Sequence, residues 1–363
     1  MQLQGEPMMK RDHKATVEEM QRLLKQNTKR YAFKKLEKEV IKTGACVECG
    51  ACVAACPVDA ISGERTDRKY VPTLTGDCIS CGICYAMCPR SFVLQDQLIG
   101  EVRNSWKLQS TRDHIRQDGG AVTAILGYML DEKMIEGAVV ACRSSEAPWL
   151  PVATTITRRE DLYKCGGTIY THAQVIDEML RGFKKNLSSL AVVGTACNID
   201  AIHRMETHPE GLFNVDRAAS VFKISLFCME SFNYGDLVAF LWKAGIDIEN
   251  VSHFAITSGE LKVTLGNDVL SWPVADLDSA AASSCAYCRD FAGKHSDLSC
   301  GNIGSGEGWT TVLARTDRAA DIIKGALKKG VVRGEALDAE SLQAVMNSAR
   351  FKMNKYYRLQ TGH

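Results

Sequence analysis

Beyond about residue 112, short unbroken apolar runs alternate with longer stretches of helical spacing. Residues 138–141 (Ala-Val-Val-Ala) and 190–193 (Leu-Ala-Val-Val) have no polar side, and 221–227 is apolar apart from Lys223 and Ser225. Runs this short and this apolar predict strands buried on both faces. Each is followed by a cysteine and then a helix-like segment, and residues 121–130 form a further helical run. Strand–loop–helix alternation predicts an α/β domain whose ligands bind at the strand ends. From residue 250 the texture shifts, and 251–256, 261–265 and 269–274 predict antiparallel strands. A late strand is expected at 309–314, and terminal helices with a surface role at 317–329 and 339–357. Upstream, residues 13–42 are polar and helix-prone, with Leu23, Leu24, Tyr31, Phe33, Leu36 and Val40 at loosely helical spacing among Lys and Glu. This predicts a solvated helix packed on the segment that follows, in preference to a docking arm for a partner.

Composition narrows the classes. A chain of 363 residues suggests two or three domains, and 45% apolar with 24% charged residues is ordinary for a globular protein. The net charge of +1 gives no field that would favour nucleic acid or a membrane surface. No apolar run reaches about 18 residues, so no direct membrane span is expected. The first residues lack an apolar h-region, so no secretory signal is expected. Fifteen cysteines, most of them at metal-ligand spacing, predict a reducing cytoplasm and argue against disulfides. Any peripheral membrane association would come through a partner complex.

The cysteines carry the sharpest signal. Cys46, Cys49, Cys52 and Cys56, followed by Pro57, repeat as Cys78, Cys81, Cys84 and Cys88, followed by Pro89. Both runs read C-x₂-C-x₂-C-x₃-C-P, the ligand spacing of a module holding two [4Fe–4S] clusters. In such modules the fourth cysteine of each run ligates the other cluster. Gly50 and Gly82 allow backbone N–H groups to approach the cluster sulfurs. A pair of structural Cys₄ zinc sites is the competing reading, but zinc motifs seldom use this spacing.

Seven cysteines lie outside the repeat. Cys285 and Cys288 form a C-x-x-C, while Cys197 and Cys228 stand just past buried strands. Strand ends converge on one edge of an α/β sheet, so the four could share a third Cys₄ site, a cluster or zinc. Cys142, Cys165 and Cys300 read as core filling. Three glycine clusters, Gln117-Asp118-Gly119-Gly120, Gly166-Gly167-Thr168 and Gly301 through Trp309, suit turns or close backbone approach to a phosphate-bearing cofactor. None is a Rossmann fingerprint between a strand and a helix.

Gln117-Asp118-Gly119-Gly120 before a helix, Cys228-Met229-Glu230-Ser231-Phe232 after a strand, the Cys285/Cys288 pair, Gly304-Ser305 and Gly308-Trp309 occur in one order. Over residues 112–330 this pattern resembles the beta subunit family of coenzyme F420 hydrogenases and dehydrogenases. A ferredoxin repeat ahead of that core is similar to the electron-input subunits of F420H₂ dehydrogenases. The resemblance implies an α/β (α+β) flavin-binding domain preceded by a small ferredoxin-like two-[4Fe–4S] module. The implied divisions are a helical extension at 1–42, the two-cluster module at 43–95, a domain for FAD, a cluster and coenzyme F420 at 112–330, and a helical tail at 331–363. It implies a third [4Fe–4S] cluster on Cys197, Cys228, Cys285 and Cys288. It implies FAD contacts among Gln117, Asp118, Gly119, Gly120, Gly167, Thr168, Tyr170, Gly304, Ser305, Gly308 and Trp309, with coenzyme F420 as substrate.

No side-chain acid or base is expected, because hydride transfer between ring systems needs none. Arg204, Lys223, Arg289 and Lys294 are candidates for an anionic substrate tail, and His203 and His295 lie near motif residues. The expected function is hydride exchange between coenzyme F420 and FAD, with single electrons relayed through the clusters. The expected acceptor is a membrane dehydrogenase complex, a heterodisulfide reductase, a hydrogenase, a formate dehydrogenase or a ferredoxin. The same flavoenzyme using NAD(P)H, and a non-catalytic electron-relay subunit, stand as alternatives.

Overall fold

Which way each residue of a buried run points decides how the layers stack. The computed structural model describes residues 33–66, 69–91, 95–113, 117–208 and 219–361. The chain divides into two compact units, the described residues up to Gln97 with those from Tyr357 onward, and Leu98–Tyr356.

In the smaller unit, strands β1 (Ile61–Arg65) and β2 (Tyr70–Leu74) pair antiparallel from Ile61↔Leu74 to Arg65↔Tyr70. Two one-turn helices, Ala51–Ala54 and Ile83–Ala86, start after Gly50 and Gly82, both with left-handed backbone. A helical segment beginning at Phe33–Leu36 and continuing as a π-turn over Glu37–Ile41 lays Phe33, Leu36 and Val40 on Ile61, Cys84 and Tyr85. Leu23, Leu24 and Tyr31 lie outside the described residues.

The larger unit contains β3 (Asn104–Ser110), β4 (Gly137–Arg143), β5 (Pro151–Ile156), β6 (Ser189–Thr195), β7 (Ser220–Leu226), β8 (His253–Thr257), β9 (Glu260–Leu265), β10 (Asp268–Pro273), β11 (Leu298–Gly301), β12 (Thr310–Ala314) and β13 (Val332–Ala336). Its longer helices are α1 (Ala121–Asp131), α2 (Val175–Lys184), α3 (Ala196–Thr207), α4 (Tyr234–Lys243), α5 (Asp317–Lys328) and α6 (Ala339–Thr361). One eight-stranded sheet runs β13-β3-β12-β11-β7-β6-β4-β5. Its centre, β11-β7-β6-β4, is parallel, and its flanks are antiparallel. Successive residues alternate between two cores, as strand geometry requires. Ala138, Val140 and Ala191 face α1 and α5, whereas Val139, Leu190 and Val192 face α2 and α3. Both faces are covered, which accounts for the unbroken apolar runs. Strands β8–β10 form a separate antiparallel sheet packed with α4, Trp149 and Phe254 around a core of their own.

Several expectations change here. The terminal helices lie at the surface but each buries one face: Ala319, Ile322 and Ile323 of α5, and Val345, Ala349, Lys352 and Met353 of α6. Cys142 and Cys165 are not core filler. The end of β4 and the turn Tyr163–Cys165 bring their Cα atoms to 4.6 Å, and the two sulfurs form a disulfide. That overturns the expectation of a disulfide-free chain. Among the described residues, no helix is long and apolar enough to cross a membrane.

Candidate functional site

In the smaller unit the two cysteine runs interleave. Cys46, Cys49 and Cys52 line one opening of about 350 Å³ together with Cys88, the last cysteine of the other run. Cys78, Cys81 and Cys84 line a second, of about 310 Å³, together with Cys56. All eight thiols are free. Backbone N–H groups of Glu48 and Ala60 donate to the sulfurs of Cys46 and Cys56. Burial, with the neighbouring cysteines adding to it, pushes the Cys52 thiol up to about 11 and that of Cys84 to about 12. Ionising so many half-buried thiols together is costly without a cation to share, and bound iron would supply one. Among the described residues, no three His, Cys, Asp or Glu side chains are drawn tightly enough to grip one metal ion.

In the larger unit the strand ends converge on one edge. Cys197 sits in the first turn of α3, Cys228 two residues past β7, and Cys285 and Cys288 on and just after the short turn Ser283–Tyr287. The four are close enough that Cys285, Cys197 and Cys288 each raise the Cys228 thiol, which burial chiefly lifts to about 11. The loop is pinned on every side. Cys228 N–H donates to the Phe291 carbonyl at 3.0 Å, Ser231 N–H to the Cys285 sulfur at 3.3 Å, and Lys352 Nζ to the Cys228 carbonyl at 2.7 Å. The donor set is four free thiols with an N–H directed at one sulfur, which fits a thiolate-bound iron–sulfur group.

A cavity of about 220 Å³, partly open to solvent, lies at the carboxyl ends of β4, β6, β7 and β11. This is where ligands bind in open α/β sheets. Its wall includes Val140 and Ala141 of β4, Gly194 and Thr195 of β6, Leu226 of β7, and Cys300 and Gly301 of β11. The amino ends of α1 (Gly120, Ala121, Val122) and α3 (Thr195, Asn198) reach it; α1 has no side-chain cap, whereas Thr195 and Asn198 form a capping box on α3. Two buried oxygens on its wall, Gln117 Oε1 and Thr171 Oγ1, have no hydrogen-bond partner. Buried polar atoms are normally paired, so both are placed for a ligand's donors. The cavity's place at the strand ends, the uncapped start of α1 and two orphan acceptors together fit a phosphate-bearing flavin. Burial, with Glu307 nearby, raises the Asp118 carboxyl above its usual range.

Of the residues anticipated for this site, Gln117, Asp118, Gly120, Gly167 and Thr168 line the cavity. Gly119 stands behind them. A Cβ there would lie 2.5 Å from the Leu108 carbonyl oxygen and 2.6 Å from the Thr310 nitrogen, so only glycine lets the turn sit against β3 and β12. Tyr170 is not on the wall; its hydroxyl accepts from Ile256 N–H at 2.9 Å, tying the loop to β8. Gly304, Ser305, Gly308 and Trp309 also lie off the wall. Gly304 is pressed against the Ser341 carbonyl of α6, Ser305 closes its own loop on the Trp309 carbonyl, and Gln109 donates to the Gly308 carbonyl. Trp309 lies beneath Lys107 and Arg333. None of Arg204, Lys223, Arg289 and Lys294 lines the cavity either. Arg204 pairs with Asp200 at 2.8 Å and Lys223 pairs with Glu206. His203 and His295 stack on each other with ring centroids 3.9 Å apart.

Sequence reasoning passed over Thr171, His172, Asn198 and Ser231 on the cavity wall, and Lys352 at the core cysteines. Thr171 and His172 had no motif to announce them. Lys352 did leave a trace, since it follows Val345 by seven positions and Ala349 by three and so falls on the buried stripe of α6.

Comparison with known proteins agrees with this geometry. Residues 106–179 match the amino-terminal domain, and residues 187–340 the carboxy-terminal domain, of the family described as "Coenzyme F420 hydrogenase/dehydrogenase, beta subunit". Residues 39–94 match a 4Fe-4S dicluster domain. An uncharacterized protein of Methanocaldococcus jannaschii is 31% identical over 89% of this chain and 98% of its own. The coenzyme F420 hydrogenase subunit beta of Methanothermobacter thermautotrophicus is 31% identical over 62% of this chain and 80% of its own. Among solved structures, a chain of the F420-reducing [NiFe] hydrogenase complex from Methanosarcina barkeri is similar with TM-score 0.67 and 27% identity, covering 73% of this chain and 94% of that one. This chain therefore belongs to the coenzyme F420 hydrogenase/dehydrogenase beta subunit family, and carries a 4Fe-4S dicluster domain ahead of the family core.

Proposed function

We propose that the protein is an iron–sulfur flavoprotein that exchanges a hydride with coenzyme F420 at FAD and relays single electrons through three [4Fe–4S] clusters to a partner redox protein. The observation that carries this reading is one sheet edge bearing both the cavity at the strand ends and the four-cysteine loop set. A bound flavin supplies the conversion between two-electron hydride chemistry and the one-electron steps of clusters.

The chain's own residues then have defined tasks. The α1 amino end holds phosphate, with Gly120 permitting the approach. Gln117 and Thr171 accept hydrogen bonds from the ligand through the oxygens left unpaired. Val140, Leu126, Leu162 and Val193 keep water from the ring-bearing part of the cavity. Cys197, Cys228, Cys285 and Cys288 hold the core cluster, and the eight repeat cysteines hold the other two. The relatives named as hydrogenase beta subunits support a partner subunit as the electron acceptor or donor.

The test is anaerobic purification followed by metal, flavin and turnover assays. The expected result is about twelve irons per chain, three cubanes' worth, one FAD, and F420H₂-dependent bleaching of an artificial electron-acceptor dye or its equivalent colour change on reduction. Cys228→Ala should lower iron to about eight while flavin reduction by F420H₂ persists. Flavin-free protein would favour a plain relay, and faster flavin reduction by NADH would remove coenzyme F420 as substrate.

A further inference from the structure

We propose that Lys352 of α6 sets the reduction potential of the core cluster, acting through the Cys228 loop; this rests on the core-cluster reading above. Lys352 is 3% exposed, and its ammonium donates to the carbonyl of Cys228. No carboxylate among the described residues pairs with it. One turn later, Lys355 reaches the carboxylate of Glu230 at 2.6 Å, and that side chain is 8% exposed. Two lysines of one helix thus grip the loop on either side of Met229, but with different electrostatic results. Lys355 and Glu230 neutralise one another, whereas Lys352 brings an uncompensated positive charge.

Burying an ammonium without a counter-ion is costly, so the structure requires negative charge close by. The four thiols supply it once they are ionised and bound to iron. The cation also acts unequally on the two redox states of such a group. Adding an electron makes the cluster more negative, and a fixed positive charge at short range in a poorly polarisable surrounding stabilises that state more. Lys352 therefore raises the potential and favours electron arrival at this cluster. Its hydrogen bond to the Cys228 carbonyl fixes the charge at a set distance, which makes it a positioning residue rather than a catalytic one.

The experiment is a redox titration of the anaerobically purified full chain, followed by electron paramagnetic resonance and paired with iron analysis. Wild-type protein must first show a third cluster; about eight irons per chain would sink the core-cluster reading itself, before any variant is made. Lys352→Met should leave iron unchanged and shift the oxidised-to-reduced ratio of one cluster about tenfold toward oxidised at the wild-type midpoint, a fall of about 59 mV. Lys352→Arg should stay near wild type. Lys352→Gln, which keeps a donor for the carbonyl without the charge, should fall as the Met variant does. A Gln variant at the wild-type midpoint overturns the proposal. Loss of four irons in both Met and Gln variants also overturns it, since the lysine would then only hold the loop.

Discussion

At the scale of single residues, the glycines before α1 show why a motif can be legible while its parts differ in role. Gly119 and Gly120 are adjacent in one motif, yet one is required by its neighbours and the other by its backbone. Gly119→Ala drives a Cβ into the backbone of β3 and β12, with an expected loss of about 1–3 kcal/mol in denaturant unfolding. Gly120, at φ 69°, starts the helix in left-handed conformation. Gly120→Val adds about 1–2 kcal/mol of strain and puts a branched side chain on the cavity wall. Bound FAD per chain should fall well below wild type, as measured by released flavin fluorescence. Spacing marked the two repeated cysteine runs, whereas the set of Cys197, Cys228, Cys285 and Cys288 followed only from strand ends converging on one edge, since ligands far apart in sequence meet only through the fold. Gly304, Ser305, Gly308 and Trp309 were placed at the cofactor by motif order alone, and order along a chain does not determine which side of a strand a loop folds toward. Here the loop turns to α6 and β3.

At the scale of elements, the buried strands were legible and the edges were not. β4 and β6 read directly as short apolar runs, and β7 did so despite Lys223 and Ser225. β3, with Asn, Ser, Lys and Gln, and β13, with only Val332 buried, carry the composition of half-solvated flanks, which resembles loop. Helix α6 misled for the opposite reason. Its charged residues suggested a solvent-facing rod, yet the buried stripe includes a lysine with a specific partner. The loop from Thr168 to Thr171 illustrates a tie that no pattern announces. Tyr170 accepts from a buried N–H of β8. Tyr170→Phe leaves that donor without a partner and should cost about 1–3 kcal/mol in thermal or chemical unfolding. An unchanged midpoint would mean the hydroxyl contributes nothing to the fold. Burial raises this phenol to about 12, so the wild-type advantage should be complete below pH 10 and fade as pH climbs toward 12.

At the scale of the whole molecule, the family core and the dicluster domain were both visible in the sequence. The former rests on ordered motifs, the latter on a strict repeat. The Cys142–Cys165 disulfide was hidden because bonding depends on a 4.6 Å approach that no spacing encodes. The interleaving of the two cysteine runs allows a test on the full chain by iron analysis. Cys49→Ala with Cys88→Ala removes two sulfurs from one opening and should cost about four irons. Cys49→Ala with Cys56→Ala strikes both openings and should cost about eight. The reverse result, about eight irons lost from the first pair and about four from the second, would show that each run serves itself. The crossing has a mechanical side as well. On that reading, iron bound by Cys46, Cys49, Cys52 and Cys88 would fasten the first cysteine run to the end of the second, around the set formed by Cys56 and the rest of the second run. Two interlocked staples of this kind remove more freedom from the unfolded chain than two consecutive ones, because the outer one spans the longer loop. Stripping metal from the outer staple should therefore loosen the inner one too, so that this segment loses its shape in a single step under chelation.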